Sequence, residues 1–270
     1  MAVKMSGGLG RIVCALPALT EAKQLVITDG WNELYTMTNL TRIEHSSAFI
    51  EQALDDDDVI APEPYFSADY RSGKTSMVEE FHKALGTVQD ENKQYLYPNV
   101  ASVEHWIKHF KAITDLPLAM IQVEASSAIR DISQQNLDNT IKALKDKGFF
   151  PVVIGELQRK KHSEYSVIKT SITDLVSLIA VSNLVICPDS SCLHIATALN
   201  KKYIAFLTST AGVKYHKANN FYHFVNNNYP NTFEHPRLFA GEITRRTHNE
   251  SLSLDYVVSI EEIKEQIDLL

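Results

Sequence analysis

Cysteine is scarce in this chain: Cys14, Cys187 and Cys192 are the three among 270 residues. Each sits in an apolar or helical context, and together they make neither a disulfide framework nor a metal-ligand spacing. That excludes a small disulfide-stapled scaffold, and the plain reading is a reducing, cytoplasmic setting. Long apolar runs are lacking too, since no stretch approaches the roughly 18 residues that a bilayer span needs. Near the start, glycines and Arg11 interrupt what would have to be the apolar region of a signal peptide after Lys4.

A basic excess is also missing. Lys and Arg number 26 against 33 Asp and Glu, a net charge of −7. Residues 1–115 carry 10 Lys/Arg against 17 Asp/Glu, which is −7, and residues 116–270 carry 16 against 16, which is zero. The acidic first half argues against broad binding to a phosphate backbone, although a local basic groove is compatible with it. Asp55 to Asp58, the densest acidic run, reads as a solvated loop or helix end, with little to favour a metal role. A dinucleotide fingerprint is absent as well: Ser6-Gly7-Gly8-Leu9-Gly10 is a glycine turn, but Val13 stands where the spacing needs a third glycine. This disfavours a nicotinamide-linked oxidoreductase.

What is present is a soluble composition, 44% apolar and 22% charged, able to bury proper cores. Short apolar strands alternate with helical stretches, the pattern of α/β layers with parallel sheets. Strands are expected at 2–5, 25–28 and 59–61, and helices at 77–85 and 103–110. The first helix is expected over 12–24, with Pro17 either interrupting it or marking its true first turn. Thr114-Asp115-Leu116-Pro117 is the expected boundary. Beyond it come strands at 118–123, 150–154, 183–187 and 202–207 and helices near 133–147, 172–182 and 260–269. Two successive units of this kind suggest two Rossmann-like domains, 1–115 and 116–258. A final helix in 259–270 could pack back on the first domain. A ligand then belongs in the crevice between them, at strand carboxyl ends.

The richest segment is Cys187-Pro188-Asp189-Ser190-Ser191-Cys192-Leu193-His194. A buried-strand pattern stops at Pro188-Asp189, and a helical apolar pattern starts at once. Ser190 and Ser191 therefore fall at a helix N-terminus, where backbone N–H groups lack intrahelical partners and the macrodipole is positive. Such a turn is either an ordinary Asp/Ser cap or an anion site, most often for phosphate.

The two turns together resemble glycosyltransferase family 9, the heptosyltransferases. Those enzymes open with a strand, a glycine turn ending Gly-Asp, and a helix carrying Leu-Pro-Ala-Leu, here Leu16 to Leu19. Their second signature, Pro-Asp-Ser/Thr-Gly-x-x-His-x-x-x-Ala-Leu-Gly-Lys-Pro, stands here as Pro188 to Lys202. The resemblance is clearest from Leu118 to Thr210. It implies a GT-B architecture: two Rossmann-like domains, the first for acceptor and the second for a nucleotide-sugar. It also implies metal-independent transfer with inversion, so neither a metal nor another cofactor is expected beyond the nucleotide-sugar co-substrate.

Under that resemblance the donor diphosphate falls to Asp189, Ser190, Ser191, Cys192 and His194, with Ser126, Ser127 and Arg130 meeting it from the facing side. His194 is alternatively a buried structural histidine. Glu156 is a candidate for ribose hydroxyls or an ordinary surface residue, and Gly7, Gly8 and Gly10 form the turn near the ligand. The family carries an acidic residue, thought to be the base, where this chain has Arg11. A guanidinium is no base near neutral pH. Asp29, Glu63 and Asp69 are the substitute candidates, each equally readable as a surface carboxylate.

The leading reading is a glycosyltransferase acting on a saccharide or lipopolysaccharide-type acceptor. Two alternatives remain: a viral-type transferase acting on a hydroxylated DNA base, and a nucleotide-sugar-binding module without catalysis. The aromatic and basic stretch 214–246 is either an irregular surface segment or the lining of an acceptor or base pocket. Sugar, nucleotide and oligomeric state are not written in the sequence.

Overall fold

The computed structural model describes residues 2–45, 59–90, 93–125, 130–155, 166–207, 221–225 and 256–270. In chain order its elements are β1 (Ala2–Met5), α1 (Leu9–Ala22), β2 (Leu25–Thr28), α2 (Asn32–Tyr35), β3 (Ile43–His45), β4 (Val59–Ile60), α3 (Ala68–Arg71), α4 (Met77–Leu85) and α5 (Val100–Lys111). They continue as β5 (Leu118–Gln122), α6 (Gln134–Asp146), β6 (Phe150–Ile154), β7 (Ser166–Ile168), α7 (Ile172–Val181), β8 (Leu184–Pro188), α8 (Ser191–Ala198), β9 (Tyr203–Leu207), β10 (Phe221–Val225) and α9 (Ile260–Leu269). The expected α/β class and parallel pairing hold throughout: every strand pair is parallel.

Two sheets form, ordered β3-β2-β1-β4 and β10-β9-β8-β5-β6-β7. In each, the order reverses beside the first strand, between β1 and β4 and between β5 and β8. Ligands in such sheets bind outside the carboxyl ends at that reversal. Alternation along β5 explains the second sheet's two covered faces: Leu118 and Met120 join one apolar cluster, Ala119 and Ile121 the other. The first cluster is continuous with the core of the first sheet, and α1 and α8 pack together within it. The N-terminal ends of α1 and α8, following β1 and β8, thus meet.

Several boundaries differ from expectation. Helix α1 starts at Leu9 and runs through Pro17 to Ala22, where Lys23 closes it at φ 53°. Complete burial of Ile12, Ala15, Leu16 and Ala18 offsets the bond that Pro17 cannot make. Helix α5, which precedes Thr114–Pro117, packs on α7 of the second half. Ser102 Oγ and Trp106 Nε1 both donate to Asp174 Oδ1, at 2.9 and 3.2 Å. The last helix has its main packing partner in the second half of the chain. It lies on α6, where Asn136 Nδ2 donates to Tyr256 O at 2.6 Å and Asn139 Nδ2 to Val258 O at 2.8 Å. Val258 and Ile263 are buried there, and that apolar face decides the docking. Among the described residues no helix is long and apolar enough to cross a membrane.

Candidate active site

At the first sheet's reversal, β1 ends in a turn that only glycine suits: Gly7 has φ +102°. Trp31 Nε1 donates to Gly7 O at 2.6 Å and pins it. One turn into α1, Arg11 lies back over Gly7. Its Nη2 donates to Pro62 O at 2.6 Å and pairs with Glu63 Oε2 at 3.0 Å, joining α1 to the segment after β4. The Arg11 side chain is 9% exposed and Glu63 35%, so the cation is inside and the carboxylate outside. The guanidinium also sits 5.7 Å from the Tyr65 ring centre.

The second reversal carries the same device with the charges exchanged. Arg130, just after β5, places Nη1 2.9 Å from Asp189 O and 3.4 Å from Asp189 Oδ2. Here the arginine is 24% exposed and the acid 6%. Asp131 accepts the Ala125 N–H at 2.6 Å, and Ile132 N–H reaches Val123 O at 2.9 Å, so the loop carrying Arg130 is tied at its base. Ser190 stands at the N-cap of α8 without a side-chain cap bond. Its hydroxyl donates to Gln122 Oε1, at the end of β5. No acidic residue lies in the first turn of α8, so its positive end is not neutralised from within.

The two turns touch through their helices. A side chain at Gly10 would meet His194 Cδ2 at 2.6 Å and Ser191 Cα at 3.3 Å, so this glycine permits the close approach. Behind it, Cys14 Sγ lies 3.1 Å from His194 Nδ1. Burial lowers the His194 pKa to about 4, aided by Arg130 and opposed by Asp189. Burial, with Asp189, pushes the Cys14 thiol up. Both groups are therefore neutral at pH 7. This is a hydrogen bond in an interface, without the thiolate that nucleophilic chemistry requires. Tyr65, close enough to feel Arg11, Cys14, Asp189 and Arg130, has its phenol pushed up to about 12, chiefly by burial.

The structure thus brings together Arg11, Glu63, Gly7, Gly10, Arg130, Asp189, Ser190, Ser191 and His194. Gly8 is the uncapped N-cap of α1. Cys192 keeps its side chain in the core and has only a main-chain N–H to offer at the α8 N-terminus. Asp189 pairs with Arg130. His194 faces Cys14 and Gly10, with its ring buried between two helices. Asp29 is exposed after β2, and Asp69 sits 3.3 Å from Lys83 Nζ on the surface. Of the three acids Glu63 is the one that pairs into the junction. Ser126, Ser127, Glu156, the Asp55–Asp58 run and, apart from β10 (Phe221–Val225), the 214–246 stretch lie outside the described residues. Gln122 and Tyr65 escaped sequence reasoning. Gln122 reads as the last strand residue, but its place at the reversal marks it once strand order is known. Among the described residues no group of three or more His, Cys, Asp or Glu is placed to hold a metal.

Comparison with solved structures finds the same fold. The iron-containing dodecameric glycosyltransferase TibC of enterotoxigenic E. coli superposes with a TM-score of 0.70 at 11% identity, over 99% of this chain and 77% of that one. A family 9 glycosyltransferase from Veillonella parvula gives 0.65 at 11% identity, over 99% and 95%. The E. coli ADP-heptose lipopolysaccharide heptosyltransferase II gives 0.58 at 11%, over 100% and 98%. These are GT-B structures, and the likeness establishes that architecture here. No curated protein sequence matches the chain. The family model for glycosyltransferase family 9 (heptosyltransferase) matches residues 76–238, from the cap of α4 past β10. That is more than half of the sequence, and the chain belongs to glycosyltransferase family 9.

Proposed function

We propose that this glycosyltransferase moves a sugar from a nucleotide diphosphate donor, seated at the start of α8, to a hydroxyl of a saccharide acceptor presented from the α1 side. One observation carries the reading: the two ion pairs face the junction with opposite polarity. Beside α8 the outer member is the Arg130 guanidinium, a group suited to a diphosphate leaving group. Beside α1 the outer member is the Glu63 carboxylate, a group suited to taking a proton from an attacking hydroxyl.

Charge on the departing diphosphate is then met by Arg130 and the amides of Ser191, Cys192 and Leu193, preorganised donors of the kind that stabilise developing negative charge. Ser126, Ser127 and the ribose-binding role of Glu156 complete the donor site. Because these groups neutralise the leaving group, transfer proceeds without a metal. A base and a leaving-group site on opposite walls place attack opposite departure, which inverts the anomeric centre. Glu63 takes the base role that the acid of the glycine turn has elsewhere in the family. Arg11, in that acid's place, holds Glu63 in position. ADP-heptose, bound by one TibC structure, is the first donor to try.

The test is a thermal-shift screen against ADP-, UDP-, GDP- and CMP-linked sugars. The true donor at a hundredfold excess over its dissociation constant adds about 2.7 kcal/mol to stability. The reading fails if no nucleotide-sugar raises the melting temperature. A product that keeps the donor's anomeric configuration, or activity lost to a chelator, removes the inverting and metal-free parts separately.

A further inference from the structure

Among the described residues, six helices begin alike. In α3, α4, α5, α6, α7 and α9 a Ser or Asn at the N-cap accepts the N–H three residues on, as with Ser133 and Asn136 or Ser171 and Asp174. Helix α8 has a serine in that same place, Ser190, with extended backbone angles (φ −152°, ψ 179°), and it does not cap. Its hydroxyl is turned instead to Gln122 Oε1 across the β5/β8 reversal. The Gln122 amide is itself oriented: Nε2 donates to Glu124 O at 3.0 Å, and since a carbonyl only accepts, Oε1 is the atom left facing Ser190.

We infer that Gln122 is a positioning residue. By holding the Ser190 side chain at the end of β5, it keeps the first-turn amides of α8 open to the donor diphosphate. This rests on the donor site proposed above. A serine that capped α8 would occupy the Leu193 N–H that the diphosphate needs, and the ligand would have to displace it. The device depends on parallel strands whose carboxyl ends lie side by side, which places the last residue of β5 beside the first residues after β8. Gln122 need not touch the donor.

The experiment is a double-mutant cycle with Gln122→Met, Ser190→Ala and the pair, read with inorganic pyrophosphate and ADP by calorimetry. Gln122→Met keeps the side chain's size but neither hydrogen bond. Its expected effect is about fivefold weaker binding, the equivalent of one cap bond, and a matching rise in donor KM at unchanged kcat. In the Ser190→Ala background the same substitution changes affinity by less than about twofold, because no hydroxyl is left to cap. In the free protein, amide exchange at Leu193 slows about fivefold in Gln122→Met and not in the double variant. Equal losses in both backgrounds, a fall in kcat alone, or an unchanged Leu193 exchange rate overturns the role of Gln122. If wild type binds neither probe, the donor-site reading falls, while Leu193 exchange still reports whether Gln122 withholds the cap. Gln122→Leu, of similar volume, replaces the methionine variant should that one not fold.

Discussion

The turn after β1 and the turn after β8 are the same construction with the charges exchanged. Each follows the first-used or switch-side strand of a parallel sheet, opens a helix without a side-chain cap, and is braced by an arginine–carboxylate pair across the strand reversal. After β1 the arginine is buried and the acid outside. After β8 the acid is buried and the arginine outside. Geometry alone would make both turns anion sites. Burial decides which charge each one shows to the junction, so two equal frames serve opposite chemistries. Which member of an ion pair is desolvated thus carries more functional information than the presence of the pair.

The largest effect expected from breaking this asymmetry is at Glu63. Glu63→Gln keeps the shape and removes the proton acceptor, so kcat falls about 10²- to 10⁴-fold while calorimetric donor affinity is unchanged. A drop below tenfold assigns the base elsewhere. Next comes pH, through the contact between the two turns. His194 is neutral in the folded protein, its pKa lowered to about 4 from an ordinary 6.5. Between those values the unfolded chain binds the extra proton, so stability is whole above pH 6.5 and declines as pH falls toward 4. The loss approaches about 3 kcal/mol. Urea midpoints at pH 7 and pH 4.5 measure it, and His194→Gln flattens the difference. His223, also lowered to about 4, contributes with the same sign and survives in that variant.

Removing the outward cation is expected to cost somewhat less. Arg130→Met weakens pyrophosphate binding about 10- to 100-fold, the worth of a hydrogen bond to a charged group. It also leaves Asp189 buried without this pair, so the melting temperature falls as well. If affinity holds while stability drops, Arg130 is a brace and the polarity argument loses its donor half. The smallest effect is at the close approach. Gly10→Ala puts a methyl 2.6 Å from His194 Cδ2 and separates α1 from α8, at roughly 1–3 kcal/mol. Thermal denaturation reads this. His194→Ala relieves it in the double variant, whereas additive losses would mean that the clash is absorbed elsewhere.

The alternation of short apolar strands with helical patterns, by itself, determined the α/β class, both parallel sheets and most helices. Met77–Leu85 and Phe150–Ile154 fall where their patterns end. It also located both turns, because a strand that stops at Gly or Pro-Asp and restarts as a helix leaves few conformations open. Short edge strands such as Ile43–His45 and Ser166–Ile168 escaped, since three residues carry no period and their pairing is supplied by a neighbour. Only the tertiary structure decided that α9 joins α6, that His194 faces a cysteine and a glycine rather than solvent, and that Glu63 is the acid beside Arg11. It also placed Gln122 against Ser190. Each of these is a contact between segments tens to hundreds of residues apart, set by strand order and by which atoms lose water. Local pattern holds neither quantity: it says what a residue can do, and burial among distant neighbours selects which of those things it does.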